Sequence, residues 1–340
     1  MTNSAHPLRV LFRVAAGPRV GFGHLVRAVS LAEALGVPAT LSVRGPRRSA
    51  AATAKRLGAV VVHGSSPGAV IDRFQPDVLA IDDRVLGETL SWRRAARRAR
   101  VPIVAIHDLG IGVGDADVLV DGSVGAARTG GASRALLGPR YAILNPRTVP
   151  TRDGRRPRRK PSPGVRTDVV IALGGGPRRA AALAVARTLL RQRPGLRLAI
   201  AGGFVPGVTA PHAPGIDWIE PADLGAALAA SRVALVAGGV TLYECLALGV
   251  PVVASAVVPS QAPTIAAFAR LAVVLDGGSI RSGQSSQAAA SVLRLLDDAR
   301  LQRRQRSRGR RVVDGRGADR VARAIVRLAE RNAARKAGAR

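Results

Sequence analysis

Short apolar runs recur along this chain, and a stretch with helical spacing follows nearly every one. In the first half the runs are Leu8–Val14, Ala39–Val43, Ala59–Val62, Val78–Ile81, Ile103–Ile106 and Val118–Val120. Helical stretches lie between them around Leu25–Leu35, Ala50–Leu57, Gly68–Arg73 and Leu86–Arg98. Near Leu137–Leu144 the pattern dissolves. A second series then begins, with strand-like runs at Asp168–Leu173, Arg197–Ala201, Ile216–Ile219, Val233–Ala237, Val252–Ala256 and Ala272–Leu275. Its helical stretches are Arg178–Arg191, Asp223–Ala230, Thr241–Leu248, Gln261–Arg270, Ala288–Leu296 and Gly317–Arg331. Strands alternating with helices predict βαβ units and parallel sheets.

The stretch between the two series has no apolar period. Residues 151–166 carry proline, glycine and dense positive charge, the composition of a linker or exposed loop. The pattern therefore predicts an α/β chain of two Rossmann-like parallel-sheet domains, residues 1–150 and 167–340, facing a cleft. The length of 340 residues suits two domains of ordinary size.

Composition changes this picture little. Hydrophobic residues make up 47% of the chain, enough for two cores, and no apolar run is long enough to span a membrane. The first seven residues lead straight into a strand and do not read as a signal peptide. The single cysteine, Cys245, excludes an internal disulfide, and no His, Cys and acid set has metal-ligand spacing. A cytoplasmic protein with neither cofactor nor metal is expected. The formal charge of +30 raises the question of nucleic acid. Lysine occurs only at Lys55, Lys160 and Lys336, so the charge is almost all arginine, and with abundant alanine and glycine this looks like a compositional bias. Aromatics are only 3%, leaving little on which bases could stack. No specific nucleic-acid partner is expected, and at most a peripheral attraction to an anionic membrane.

Candidate chemistry sits where strands give way to helices, since open α/β sheets bind ligands at the carboxyl ends of their strands. Gly21-Phe22-Gly23-His24 follows the first strand. Its glycines let the backbone approach a ligand, and His24 falls in or beside the first helical turn, where the dipole suits a neutral imidazole acting as a base. Capping or packing of the helix start is the alternative. The second series opens alike with Gly174-Gly175-Gly176, either a tight turn or an anion cradle. Neither loop is a dinucleotide or P-loop fingerprint.

Val233–Ala237 runs into Gly238-Gly239-Val240-Thr241 and then Leu242-Tyr243-Glu244. Glycines at a strand end before a threonine and a helix make a phosphate-binding arrangement of free amides, a hydroxyl and a favourable dipole. Glu244 is placed either to close a capping box with Thr241 or to accept hydrogen bonds from ribose hydroxyls. Gly249 ends the helix, and Pro251 precedes the next strand.

The segment Gly238–Pro251 resembles the nucleotide-binding segment of GT-B-fold enzymes acting on nucleotide sugars. Taken with Gly21-Phe-Gly-His-Leu-Val-Arg27, Leu137–Leu144 and Val313–Arg320, the chain is similar to the PseG group. Those are UDP-2,4-diacetamido-2,4,6-trideoxy-β-L-altropyranose hydrolases of pseudaminic acid biosynthesis, related to the spore-coat SpsG proteins. The resemblance implies a GT-B-like fold and hydrolysis of the anomeric C–O bond of a UDP-sugar, with His24 as general base for water. It implies that Gly238, Gly239 and Thr241 hold the diphosphate, that Glu244 takes the uridine ribose and that Gln261 faces the cleft. Gly21, Gly23, Arg27, Gly174, Gly175 and Ser260 complete the implied substrate-binding set.

Three positions depart from that family. Ser260 stands where it usually has asparagine, Ala15-Ala16-Gly17 replaces an aspartate-bearing stretch, and Gly176-Pro177 replaces a Ser-Asp-like turn. Lost polar contacts alter specificity. Two alternatives follow: a GT-B glycosyltransferase, in which His24 deprotonates an acceptor sugar's hydroxyl, or a non-catalytic nucleotide-sugar binder. Asp82 and Asp83 end a strand and suit sugar hydroxyls, although capping of the next helix is the stronger reading. His107-Asp108 is set aside because strand neighbours face opposite ways. Asp121 reads equally well as turn chemistry, and His6, His63 and His212 receive no role.

Overall fold

A computed structural model describes residues 7–17, 20–83, 85–107, 116–128, 131–146, 148–149, 167–174, 178–202, 214–280 and 285–338. The 151–166 linker, Gly175–Pro177 and Asp108 lie outside the described residues. The chain divides into two units, Met1–Ile143 with Arg316–Arg340, and Leu144–Gly315.

The first unit runs β1 (Val10–Ala15), α1 (Gly23–Leu35), β2 (Thr40–Arg44), α2 (Arg47–Arg56), β3 (Val60–Val61), α3 (Pro67–Phe74), β4 (Val78–Asp82), α4 (Leu86–Arg98), β5 (Ile103–His107), β6 (Val118–Asp121) and β7 (Arg134–Leu137). Its seven strands form one parallel sheet in the order β3-β2-β1-β4-β5-β6-β7. The second unit runs β8 (Val169–Ala172), α5 (Arg178–Gln192), β9 (Leu198–Ala201), β10 (Ile216–Ile219), α6 (Leu224–Ala230), β11 (Val233–Ala237), α7 (Val240–Leu248), β12 (Val252–Ala256), α8 (Ala262–Arg270), β13 (Leu275–Ser279), α9 (Ser286–Asp297) and α10 (Ala299–Val312). Its sheet is also parallel, in the order β10-β9-β8-β11-β12-β13. Helix α11 (Gly317–Gly338) closes the chain.

The central strands are mostly apolar because helices cover both of their faces, with Arg13 in β1 a buried exception. In β1, Val10, Phe12 and Val14 pack into a core with residues of α1 and α11, while Leu11 joins a second core with Val70, Ile71 and Trp92. Both strand orders turn at the first strand of the unit. β1 lies between β2 and β4, and β8 lies between β9 and β11. These are the switch points at which such sheets place ligands.

Helix α11, which the pattern groups with residues 167–340, falls in the first unit. Its Ala318, Val321, Ala322, Ala324, Ile325 and Leu328 enter the core of the first unit, against α1. The return is sterically tight. A Cβ at Gly317 would collide with the Ala142 carbonyl, and one at Gly315, at φ +74°, would meet Val149. Two elements were also absent from the pattern. β7 is only half buried and so carries a weak apolar signal, and α10 hides its period beneath a run of arginines.

Ile325→Ala empties a fully buried site and is expected to cost about 2–5 kcal/mol. Hydrogen exchange on this variant should quicken in α1 and β1 and leave β8 and β11 unchanged. A loss of protection confined to the second unit would contradict the assignment of α11.

Candidate active site

The turn from β1 into α1 is pinched shut by a pair of backbone hydrogen bonds. Gly17 donates to the Gly21 carbonyl at 3.1 Å, and Gly21 donates back at 2.7 Å. Gly21 has φ +87°, a conformation that favours glycine. Helix α1 then begins at Gly23 without a side-chain cap, and space is open where a Cβ on Gly23 would stand.

One residue further on, His24 is only 7% exposed and turns toward β4. The β1–β4 register sets Val14 opposite Asp82, which puts the Asp82 carboxylate beside the exit of β1. His24 Nδ1 lies 2.7 Å from Asp82 Oδ1. Arg27, one turn along the same helix, donates through Nε to Asp82 Oδ2 at 2.7 Å and through a terminal nitrogen to Oδ1 at 2.6 Å. That terminal nitrogen is also 3.0 Å from His24 Nδ1. In the tautomer with its proton on Nδ1, the ring donates a hydrogen bond to Asp82. Nε2 is then the basic nitrogen.

Asp82 is 2% exposed. Burial opposes its charge, but the Arg27 guanidinium and His24 outweigh it and hold the carboxyl below the usual carboxylate range. The stabilisation from this group is therefore present above that range and is lost as pH falls through the depressed value. Arg27, expected to touch substrate, spends its fork on Asp82.

Asp83 points to the other face of the sheet. It takes a two-pronged pair from Arg44, both contacts at 2.6 Å, and accepts from the Val85 amide at the start of α4 at 3.1 Å. No side chain caps α4, so Asp83 serves mainly as the partner of Arg44, whereas Asp82 is the partner of His24. Beside Asp83, Arg13 donates to Ser42 at 3.2 Å and lies 5.1 Å over the Trp92 ring. Burial lowers its pKa. His107 and Asp121 are buried register partners at the ends of β5 and β6, and Asp121 accepts from the Ser123 amide at 2.9 Å.

In the second unit the β11–α7 turn keeps its glycines for two reasons. A Cβ on Gly238 would press on Gln261 and Ile265, while Gly239, the N-cap of α7, faces open space. No side chain caps α7, so the amides of its first turn are not taken up by Thr241. Glu244 does not close a capping box. It is 6% exposed and accepts hydrogen bonds from the Thr148 hydroxyl and the Asn145 amide. Burial outweighs those bonds and pushes its carboxyl up to about 7. Burial and the neighbouring Glu244 also push the Cys245 thiol up, so this sulfur stays protonated.

Gln261 turns its side-chain oxygen onto the Val257 amide at 3.0 Å and so closes its own loop, while Ser260 is exposed. Gly174, two residues past β8, has φ +101° and lies against Arg178 of α5, and Gly175 lies outside the described residues. Among the described residues no three His, Cys, Asp or Glu side chains are grouped to hold a metal ion, and no helix is long and apolar enough to cross a membrane. Sequence reasoning missed the pairing of Asp82 with His24, which depends on β4 lying beside β1.

No protein-family model and no curated protein matches this sequence. Solved structures do match over nearly the whole chain. A glycosyltransferase of kitacinnamycin superposes with a TM-score of 0.64 at 15% identity, covering 94% of this chain and 99% of that one. The glycosyltransferase SnogD from Streptomyces nogalater gives 0.61 at 19% identity, covering 95% and 100%. MnaA of S. aureus, solved with UDP, gives 0.61 at 13% identity, covering 92% and 95%. Together with the two parallel sheets these matches show a GT-B-like architecture of two Rossmann-like units. They also correct the resemblance drawn from the motifs. Those named with an activity are glycosyltransferases and a putative UDP-N-acetylglucosamine 2-epimerase from Listeria monocytogenes, and not the PseG-type hydrolases of pseudaminic acid biosynthesis.

Glu244 sets a testable pH dependence. Its folded pKa is raised, so its contribution is fully present below about 4.5 and is lost as pH rises toward and past about 7. The loss amounts to roughly 3 kcal/mol over that window. Urea midpoints at the two ends of the window should differ clearly in the parent protein and less in Glu244→Gln. An equal slope in both would show that Glu244 does not titrate there.

Proposed function

We propose that this protein is a glycosyltransferase that moves a sugar from a nucleoside-diphosphate donor to an acceptor hydroxyl. The observation that carries this reading is the buried His24–Asp82 pair, 2.7 Å apart at the carboxyl edge of β1 and β4. An imidazole whose Nδ1 is held by a carboxylate presents Nε2 as a base of fixed orientation. In the reaction, His24 Nε2 accepts the proton of the acceptor hydroxyl while its oxygen bonds to the anomeric carbon. The bond from that carbon to the diphosphate breaks, and the nucleoside diphosphate leaves with the electron pair. Asp82 stabilises the imidazolium, and Arg27 keeps Asp82 ionised and in place.

The second unit supplies the features of a donor site. The uncapped amides at the start of α7 and the Thr241 hydroxyl suit the diphosphate, both in the donor and as the leaving group gains charge. Glu244 suits the two ribose hydroxyls. The likeness to MnaA solved with UDP favours uridine. Transfer is preferred to hydrolysis because glycosyltransferases recur among the structures that share this fold.

Incubation with UDP-sugars in the presence and absence of a panel of acceptor alcohols and phenols tests the reading. Release of UDP should require an acceptor. His24→Ala should lower kcat by about 10²–10⁴-fold with donor affinity little changed. UDP release that ignores the acceptor, or full activity in His24→Ala, would overturn the proposal. A second expectation concerns the donor site. Hydroxyl donors favour the ionised form of Glu244, so UDP affinity should rise with pH through about 7 and protons should be released on binding. Calorimetry in buffers of different ionisation enthalpy measures this, and Glu244→Gln should abolish it.

A further inference from the structure

Helix α10 has no acidic side chain along its 14 residues. Gln305 and Gly309 are buried, with Leu301, Gln302 and Val312 half-buried along the same stripe. At about 100° per residue, Arg300, Arg303, Arg304, Arg308, Arg310 and Arg311 fall on the opposite side within an arc of about 160°. All six are exposed. Arg310 donates to the Leu248 carbonyl at 2.8 Å, and the other five have no hydrogen-bond or ion-pair partner among the described residues. Arginines in other elements do meet carboxylates, as Arg44 meets Asp83 and Arg193 meets Asp297. Acid-free stretches are common in this chain, as over residues 169–216, so what marks α10 is the density of arginines, six on one exposed face within twelve residues.

The arrangement costs the isolated protein stability. Arg300 and Arg304, and Arg304 and Arg308, stand four residues apart and repel. Arg300 also lies in the first turn, where the helix dipole disfavours a cation. We infer that this face of α10 is a docking surface for an anionic lipid bilayer. From Arg300 to Arg311 the ridge is about 17 Å long and presents guanidinium forks, which pair with phosphate oxygens. It has no exposed apolar residue, so contact is with headgroups and not with the acyl region.

Nucleic acid fits this face less well. The helix's two amide side chains, the kind that read base edges, are turned inward. Gln305 accepts from the Val252 amide at 2.7 Å, and Gln302 donates to the Leu295 and Leu296 carbonyls at 2.9 and 3.1 Å. The helix carries no aromatic ring on which a base could stack.

Sedimentation of the full chain with vesicles tests the inference. The chain should bind vesicles of equal parts phosphatidylcholine and phosphatidylglycerol, not phosphatidylcholine alone, and should come off as salt rises. The triple variant R300Q/R304Q/R311Q should lower the partition coefficient by roughly 100-fold. Glutamine is a good helix former, so the fold should be kept, and a melting curve checks this. Should that triple fail to fold, R303Q/R308Q is read in its place, with a loss of roughly 20-fold expected. The control is R323Q/R327Q/R331Q on the exposed side of α11, which removes the same charge and should change binding far less. Equal losses in the two triples would mean that net charge alone is responsible and would overturn the site. So would failure to bind the anionic vesicles, or tighter binding to a duplex oligonucleotide that the α10 triple abolishes.

Discussion

A carboxylate removed from water must be answered by charge or it will not stay ionised, and Asp82 is answered twice from one helix. His24 and Arg27 are three residues apart on α1, so both side chains reach the same point. That contact fixes the rotation of α1 over the sheet, the tautomer of the imidazole and the position of its free nitrogen. It also depends on the strand order. Asp82 reaches α1 because β4 lies directly beside β1, with Val14 opposite Asp82. Removal of one member would leave a buried charge without its partner, which is costlier than the absence of the whole set. The proposed base and the contacts that hold its helix in place therefore involve the same three side chains.

The backbone imposes a second set of constraints through close approach. Gly317 passes against the Ala142 carbonyl, and Gly122 packs on the same alanine from β6. Both glycines stand where the chain of the first unit leaves and returns, and side chains there would push α11 off its core. The Asp-Gly-Arg-Gly stretch before α11 is thus accounted for by packing. Gly238 is similar, since it admits the start of α8 against the β11–α7 turn. Gly239 differs because its surroundings are open, which leaves the first amides of α7 approachable.

Arginine serves three distinct ends in one composition. Arg27 and Arg44 are buried or half-buried counter-ions, Arg13 lies over an aromatic ring, and Arg300, Arg303, Arg304, Arg308 and Arg311 of α10 stand in solvent without partners among the described residues. A count of charges cannot separate these uses, because each depends on which carboxylates the fold brings near.

Apolar periodicity alone determined that the chain forms two parallel α/β sheets, because strands covered on both faces need nearly continuous hydrophobic runs. Glycine placement and the flanking helices marked the β1–α1 and β11–α7 turns, which the structure places at the switch points of the two sheets. Where the signal was weak, reading failed for physical reasons. β7 is half exposed, and α10 is covered by arginines on one side with few apolar residues on the other. Motif likeness at short segments suggested a hydrolase family, while the structures similar over the whole chain share its fold at 12–19% identity and include glycosyltransferases and a putative epimerase, since turns of this kind report the needs of a fold more than its reaction. Three matters were left to tertiary structure: the return of α11 to the first core, the partner of Glu244 and the pairing of Asp82 with His24. Each joins residues distant in sequence, across 58 positions for Asp82 and His24, so no local pattern records them. Only the order and register of the strands decide which side chains meet.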